Sequence, residues 1–334
     1  MTKLRVIAGS LALLFAATAC GSSSYDATPL PVKETPRPTK AAPPPAQTCS
    51  NATALQSYAP AGPLPEPLAM PANSTMARIQ ARGRLIAGVS ADSLNLGSRN
   101  PITGTIEGFD IDMINAVADA IFGTPAPGRP HKVELRVISS PQRIPALKRS
   151  EVDIVARNMT INCARWQEIA FSAEYYRSGQ KLLVQRDMKV ESLAELSGQK
   201  VCAPAGSTSL DNMMEANPKI IPVTADTDTG CLALFQQGKV VGISGDDTVL
   251  AGDAAQDPYA RVTKAEKISE EPYGLGINSA QVDFVMFVNG VLEKMKTAPA
   301  PGAKSAWQQS YDKWLGPALG PGLPPKPLYG RGDQ

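Results

Sequence analysis

The chain has 334 residues, 43% of them apolar and 19% charged, with a formal net charge of +2. That is enough apolar material for one large or two medium hydrophobic cores. The charge is too close to neutral to call for a strongly acidic or basic partner. No basic stripe with interleaved aromatics occurs, so nucleic-acid binding has no footing.

At the N-terminus, Lys3 and Arg5 precede a short apolar segment, Val6 to Ala17, and the small residues Ala17, Thr18 and Ala19 lead into Cys20. A positive start, a short apolar stretch and a small-residue junction read as an export signal over residues 1–20. The segment is too short for a permanent membrane helix, and no later apolar run reaches spanning length. Cys20 falls where cleavage is expected, which resembles a bacterial lipobox with Ala17 in place of the usual Leu. That resemblance implies lipidation of Cys20 and an extracytoplasmic protein anchored to the cell membrane. Residues 21–72 are rich in Pro, Ala, Ser and Thr, and twelve prolines fall between Pro29 and Pro71. Such a composition favours extended, unpacked chain, so a tether is expected here. Residues 317–334 carry five more prolines and are expected to wrap and then fray.

Four cysteines remain after Cys20: Cys49, Cys163, Cys202 and Cys231. Export places them where disulfides form, and four cysteines allow three pairings. There is no CxxC, and His131 is the one histidine. A zinc site needs clustered ligands, so no metal and no cofactor is expected.

The folded part is expected to begin near Met76. A helix over Met76 to Arg82 leads through Gly83 into a strand, Leu85 to Val89. Gly108 to Phe122 reads as a strand end running into a helix. Val133 to Ile138 is a strand, Gln142 to Lys148 a short helix, and Val152 to Val155 a buried strand. A second series follows: a short helix at Ser192 to Leu196, a strand at Lys200 to Ala203, and the loop Ala205-Gly206-Ser207-Thr208-Ser209. Then come a helix at Leu210 to Ala216, a strand at Ile220 to Val223, a helix at Gly230 to Gln237 and a strand at Val240 to Ser244. Tyr273 to Ile277 reads as a Gly-containing strand, and two amphipathic helices, Ala280 to Lys296 and Lys304 to Leu315, close the chain. Strand–helix alternation in two half-size units predicts an α/β fold with parallel sheets.

The strongest local pattern is Gly108-Phe109-Asp110-Ile111-Asp112-Met113, continued by Val117, Ala118 and Ile121. It resembles the signature of the extracellular amino-acid-binding proteins that serve ABC importers. Val152-Asp153-Ile154-Val155 with Thr160, Arg165 and Phe171-Ser172 resembles that family's next block. Gly206-Ser207-Thr208-Ser209, Asp246-Asp247-Thr248 and Tyr273-Gly274 follow in the expected order, so the resemblance spans residues 76–316. Among members, the chain is most similar to actinobacterial glutamate- and glutamine-binding lipoproteins. The resemblance implies a two-lobed, periplasmic-binding-protein-like fold with a ligand cleft and a hinge crossed twice. Residues 73–184 and 272–316 are expected in lobe 1 and residues 185–271 in lobe 2, with crossings near Leu183 to Arg186 and Glu271 to Tyr273.

A free amino acid carries a carboxylate and an ammonium on one carbon, so its site needs a cation with donors facing a carboxylate. The resemblance places Arg165 on the α-carboxylate, which its planar guanidinium can take in two parallel hydrogen bonds. Thr160 is expected to assist with its hydroxyl and N–H. Ser207 and Thr208 sit in a Gly loop between a strand and a helix, where N–H groups attract an anion. Pro204 stands where the family often has Lys or Thr, which removes a donor. Asp247 is expected to accept the ammonium, with Asp246 as runner-up; the unused one would cap a helix. Ser140 and Arg143 resemble the block of acidic-amino-acid binders in which an Arg meets the distal carboxylate. Arg157 and Asn158 could also point into the cleft. The first loop, Ser90 to Gly97, lacks the aromatics that often cover the ligand, so its lid must differ.

The function expected is capture of glutamate, aspartate or one of their amides by a monomer, without catalysis, for a membrane ABC permease. The alternative is the same capture read by a membrane sensor; an enzyme on this fold and a purely structural envelope lipoprotein rank lower, since no Ser-His-Asp set is present. Cys202 ends one strand and Cys231 starts the helix after the next, so neighbouring βα units could bridge them, leaving Cys49 with Cys163.

Overall fold

The computed structural model describes residues 49–331. Cys20 and the expected export segment lie outside the described residues, as does the expected tether through residue 48. No described helix is long and apolar enough to cross a membrane.

Two sheets organise the chain. The first runs in the order Val133–Val137, Leu85–Val89, Ile154–Ala156, Gly276–Ile277, Ala170–Phe171. Its first three strands are parallel and its last two pairings antiparallel. Leu85–Val89 is buried along its whole length, as a central strand covered on both faces must be. The second sheet runs Ile221–Ala225, Lys200–Pro204, Gly242–Asp246, Tyr176–Gln185, Ala260–Val262, with Ser269–Tyr273 also paired to Tyr176–Gln185. This is the two-lobed, periplasmic-binding-protein-like α/β fold that the motif order implies.

The ten-residue strand Tyr176–Gln185 joins the lobes. Tyr176 pairs with Tyr273, while Gln180 to Val184 pair with Asp246 to Gly242 in the second sheet. The first crossing therefore lies before Ser178, several residues ahead of the expected Leu183 to Arg186. Leu183 is a fully buried core residue of lobe 2. The expected strand Tyr273 to Ile277 is instead two strands in different sheets, Ser269–Tyr273 and Gly276–Ile277, split where the chain passes between lobes at Gly274. A side chain there would collide with Ile161, whose Cγ1 stands 2.7 Å from a Cβ built on Gly274.

Residues 49–72, expected as tether, are instead packed on lobe 1 in part. Asn51–Ala54 is helical, and Ala54, Ser57 and Tyr58 are buried. Ser57 N–H donates to Leu328 C=O at 2.9 Å, and Ser57 and Tyr329 form a β-bridge, so the Pro-rich N-terminal and C-terminal segments clasp each other on lobe 1. Proline lacks a donor, but here neighbouring residues supply it, and Asn289 Nδ2 donates to Tyr58 C=O at 2.7 Å. The fold thus already includes Cys49, well before the expected start near Met76, and Cys49 is bridged to Cys163 with a Cα separation of 5.7 Å. Cys202 and Cys231 are bridged at 5.6 Å inside the core of lobe 2.

Candidate functional site

The motif at residues 108–113 sets the site's geometry from a distance. Gly108 has φ +144°, and a Cβ there would lie 2.3 Å from Leu96 C=O, so only glycine lets the helix Phe109–Phe122 start against the first loop. Phe109 packs among Tyr175, Tyr176, Trp307 and Tyr311. Buried Asp110 accepts hydrogen bonds from Asn158 N–H at 2.9 Å and Tyr175 OH at 2.6 Å. Burial lifts the Asp110 carboxyl to about 6 against the pull of those donors. Asp110, in the first turn of that helix, therefore holds the loop that carries Asn158, Thr160 and Arg165.

A narrow, nearly closed cavity of about 20 Å³ lies between the lobes. Ser140, Arg143, Asn158, Thr160 and Arg165 line it from lobe 1, and Ser207, Thr208, Ser209, Asp228, Ser244, Asp246 and Asp253 from lobe 2. Arg165 is buried on the four-residue helix Cys163–Trp166. Its Nη1 donates to Thr160 C=O at 2.9 Å and its Nη2 to Gly206 C=O at 3.3 Å. Arg143 is only 3% exposed. It donates through Nε to Ser140 C=O at 2.9 Å, through Nη1 to the carbonyls of Arg157 and Asn158, and through Nη2 to Gly206 C=O at 3.1 Å. The two guanidiniums thus share one acceptor, and that acceptor belongs to the opposite lobe. Neither is ion-paired with a carboxylate among the described residues. Burial, reinforced by the Arg165 and Arg157 charges, pulls the Arg143 pKa well below its ordinary value. Burial also lowers the Arg165 pKa, partly offset by the Glu271 and Asp246 charges.

Asp246 and Asp247 separate clearly. Asp246 ends the strand Gly242–Asp246 and lines the cavity. It accepts from Tyr273 OH at 2.6 Å and Ser209 Oγ at 3.1 Å. Burial and the nearby Glu271 charge raise its carboxyl to about 8. Asp247 opens the next helix and accepts from Ser178 Oγ at 2.6 Å, on the hinge strand. It is not part of the cavity wall, whereas the runner-up Asp246 is. Strand period explains it: Ser244 and Asp246 share the cleft face, and the chain turns away at the first helical residue.

The remaining residues divide into wall and support. Arg157, fully buried, does not line the cavity; it donates to Ile138 C=O and Ser140 Oγ and faces Asp228 at 3.8 Å. Ser207 caps the helix Thr208–Ala216, accepting from Leu210 N–H at 3.2 Å. The hydroxyls of Thr160 and Thr208 both donate to Glu271 Oε2, at 2.5 and 2.7 Å. Glu271 thus occupies the Thr160 hydroxyl expected to serve a ligand, and that of Thr208 as well, while the N–H groups of Thr208 and its neighbours are the loop's other donors. Asp228 and Asp253 escaped the sequence reading. Asp253 lies seven residues, about 10 Å of helix, beyond Asp246, and its Oδ2 has no partner; burial, then Asp228 and Asp92, push its carboxyl well upward. Its signal was two turns of spacing on one helix face, which is weak without the strand that aims it. Among the described residues no cluster of three or more His, Cys, Asp or Glu could hold a metal ion.

Two lobes joined by paired crossing strands around a polar, arginine-lined cleft define a two-lobed binding-protein fold. The chain belongs to the bacterial extracellular solute-binding proteins, family 3, matched over residues 85–317. It is 37% identical over 204 residues to a glutamine-binding protein of Geobacillus stearothermophilus, covering 61% of this chain and 76% of that one. It is 30% identical over 220 residues to the glutamate-binding protein GluB of Corynebacterium glutamicum, covering 64% and 74%. Among solved structures, the ancestral amino acid-binding protein AncCDT-1, a precursor of cyclohexadienyl dehydratase, superposes with a TM-score of 0.63 at 28% identity, over 72% of this chain and 100% of that one.

Proposed function

We propose that the cleft captures an acidic amino acid, glutamate or aspartate, without turning it over. The observation that carries this reading is the pair Arg143 and Arg165: both buried, both donating only to protein carbonyls, and neither within ion-pair distance of a carboxylate among the described residues. A carbonyl satisfies a donor without cancelling the charge, so two positive charges await anionic partners. A dicarboxylic amino acid supplies two carboxylates, and Asp246 is the acceptor for its ammonium. Relatives named for glutamine and glutamate binding favour this ligand class and a binding role. By the same family relation, the ligand is handed to a membrane ABC permease; the lipobox resemblance favours Cys20 as lipid anchor.

A second reading, an amide ligand, is favoured by Asp253. A buried carboxyl with an unpartnered oxygen, lifted toward its neutral form, suits a side-chain amide better than a second carboxylate. Calorimetric titration with glutamate, aspartate, glutamine and asparagine tests the choice. Saturable heat with tighter binding of the two acids supports the proposal; tighter binding of the amides selects the second reading, and no heat from any of them rejects both. Unchanged ligand recovered after prolonged incubation checks the absence of turnover.

A further inference from the structure

The first loop has no aromatic with which to cover a ligand, yet it crosses the cleft. Ser90 Oγ donates to Asp92 Oδ1 at 2.7 Å and meets Ser93 Oγ at 2.9 Å, which fixes the loop's shape. Asp92 Oδ2 then accepts from Thr229 N–H at 3.2 Å and from the Thr229 hydroxyl. Ser93 Oγ donates to Asp228 Oδ2. Next to them, Leu94 packs on the helix Asp247–Gln256, where a Cβ on Gly252 would stand 3.0 Å from Leu94 C=O. Asp228 and Thr229 open the nine-residue helix Asp228–Gln236, so the Asp92 carboxylate meets the positive end of a helix dipole. Burial alone would raise the Asp92 carboxyl, but the Thr229 and Ser90 hydrogen bonds and the Arg157 charge outweigh it and hold it low.

We infer that Asp92 and Ser93 of lobe 1, with Thr229 and Asp228 of lobe 2, form a polar latch that favours the closed cleft independently of what is bound. These four side chains lie on opposite sides of the hinge, so their bonds exist only when the lobes are together. Asp92 and Thr229 do not line the cavity, so this pair reads closure and not ligand chemistry. Apparent affinity scales with the population of the closed, competent state. A latch that raises this population tightens every ligand by one common factor, whereas Arg143 and Arg165 discriminate among ligands. This inference rests on the amino-acid-binding reading for its affinity arm but not for its conformational arm.

The test compares wild type with Asp92→Ala, Thr229→Val and the double variant. Calorimetry should show glutamate and glutamine weakened by the same factor, on the order of tenfold for Asp92→Ala, the scale of one lost charge-assisted hydrogen bond. Stopped-flow should place the loss in the dissociation rate. The double variant should lose little more than Asp92→Ala alone, because the two changes remove one contact. Thr229→Val, which removes a single hydroxyl, keeps the test open if Asp92→Ala misfolds. Small-angle scattering of the ligand-free proteins should give a larger radius of gyration for each variant. Unequal losses for the two ligands, additive losses in the double variant, or identical scattering of wild type and variants would each overturn the latch. If no amino acid binds wild type, the functional proposal fails, and the scattering comparison still decides the latch.

Discussion

The two walls of the cleft are built on opposite principles. Lobe 1 presents guanidiniums held by backbone carbonyls, so their positions are fixed and their charge is left standing. Lobe 2 presents carboxyls that burial drives toward the neutral form, Asp246 and Asp253. A site with uncancelled cations on one wall and reluctant anions on the other gains most from a ligand carrying more negative than positive charge. That contrast accounts for the proposed preference, and it can be broken one wall at a time.

The largest effect should come from Arg165→Ala. Losing a buried charge partner costs about 3–5 kcal/mol, which takes a micromolar affinity worth about 8 kcal/mol to roughly the millimolar range. Circular dichroism should report folded protein, and calorimetry should report no measurable heat with any amino acid. Retained affinity would mean that lobe 1 does not hold the α-carboxylate.

On the other wall, Asp246→Asn should abolish binding, while Asp247→Asn should change affinity by less than about tenfold, the scale of one hydrogen bond at the hinge. Equal losses in the two would return the ammonium to Asp247. The raised Asp246 carboxyl also sets a pH dependence. Its folded pKa of about 8 exceeds the ordinary 3.8, so its contribution to folding is fully present below about pH 4 and is lost as pH rises toward about 8. Asp246→Asn should therefore raise the melting temperature of ligand-free protein at pH 7.5 and have no such effect near pH 4. Binding runs the other way: an ammonium beside the carboxyl favours its ionised form. Glutamate affinity of wild type should accordingly rise between about pH 6 and about pH 8, and a flat profile would contradict the assignment.

Disulfide removal sharpens the same comparison through stability. Cys202→Ser with Cys231→Ser opens a bridge inside the core of lobe 2, at a cost of roughly 2–5 kcal/mol. Cys49→Ser with Cys163→Ser opens the bridge beside the Arg165 helix. It should cost a similar amount of stability and also weaken glutamate by a few-fold, because Cys163 starts the turn that carries Arg165. Differential scanning calorimetry and titration of both pairs separate the two effects.

Lobe 1 was largely legible because its signals are local. The run Leu85 to Val89 is uniformly apolar and uniformly buried, and Gly108 to Phe122 announces its own helix start. Arg143, Thr160 and Arg165 were named through the family resemblance of the blocks that hold them, and Asn158 through its place just before Thr160. The hinge strand Tyr176–Gln185 was missed because Ser178, Gly179 and Gln180 are buried polar or small residues whose strand state comes from pairing with Glu271 to Ser269. No periodicity within the segment encodes that pairing. The helix Asp247–Gln256 has Thr248, Val249, Leu250, Gly252 and Asp253 buried, so it lacks the one-sided pattern that marks a surface helix. Residues 49–71 read as a tether because proline content reports local stiffness and says nothing of a disulfide or of a distant clasp at Leu328 and Tyr329.

The claim that lobe 1 carries an extra, unneutralised cation for a ligand side chain rests on Arg143. The most direct measurement is calorimetric titration of glutamate and glutamine into wild type and Arg143→Ala. Wild type should prefer glutamate, and the variant should lose about 1–3 kcal/mol with glutamate, the scale of a charged hydrogen bond, but distinctly less with glutamine. Equal losses for the two ligands would contradict the account, leaving Arg143 as a brace for the Gly206 loop and the cleft without a seat for a second carboxylate.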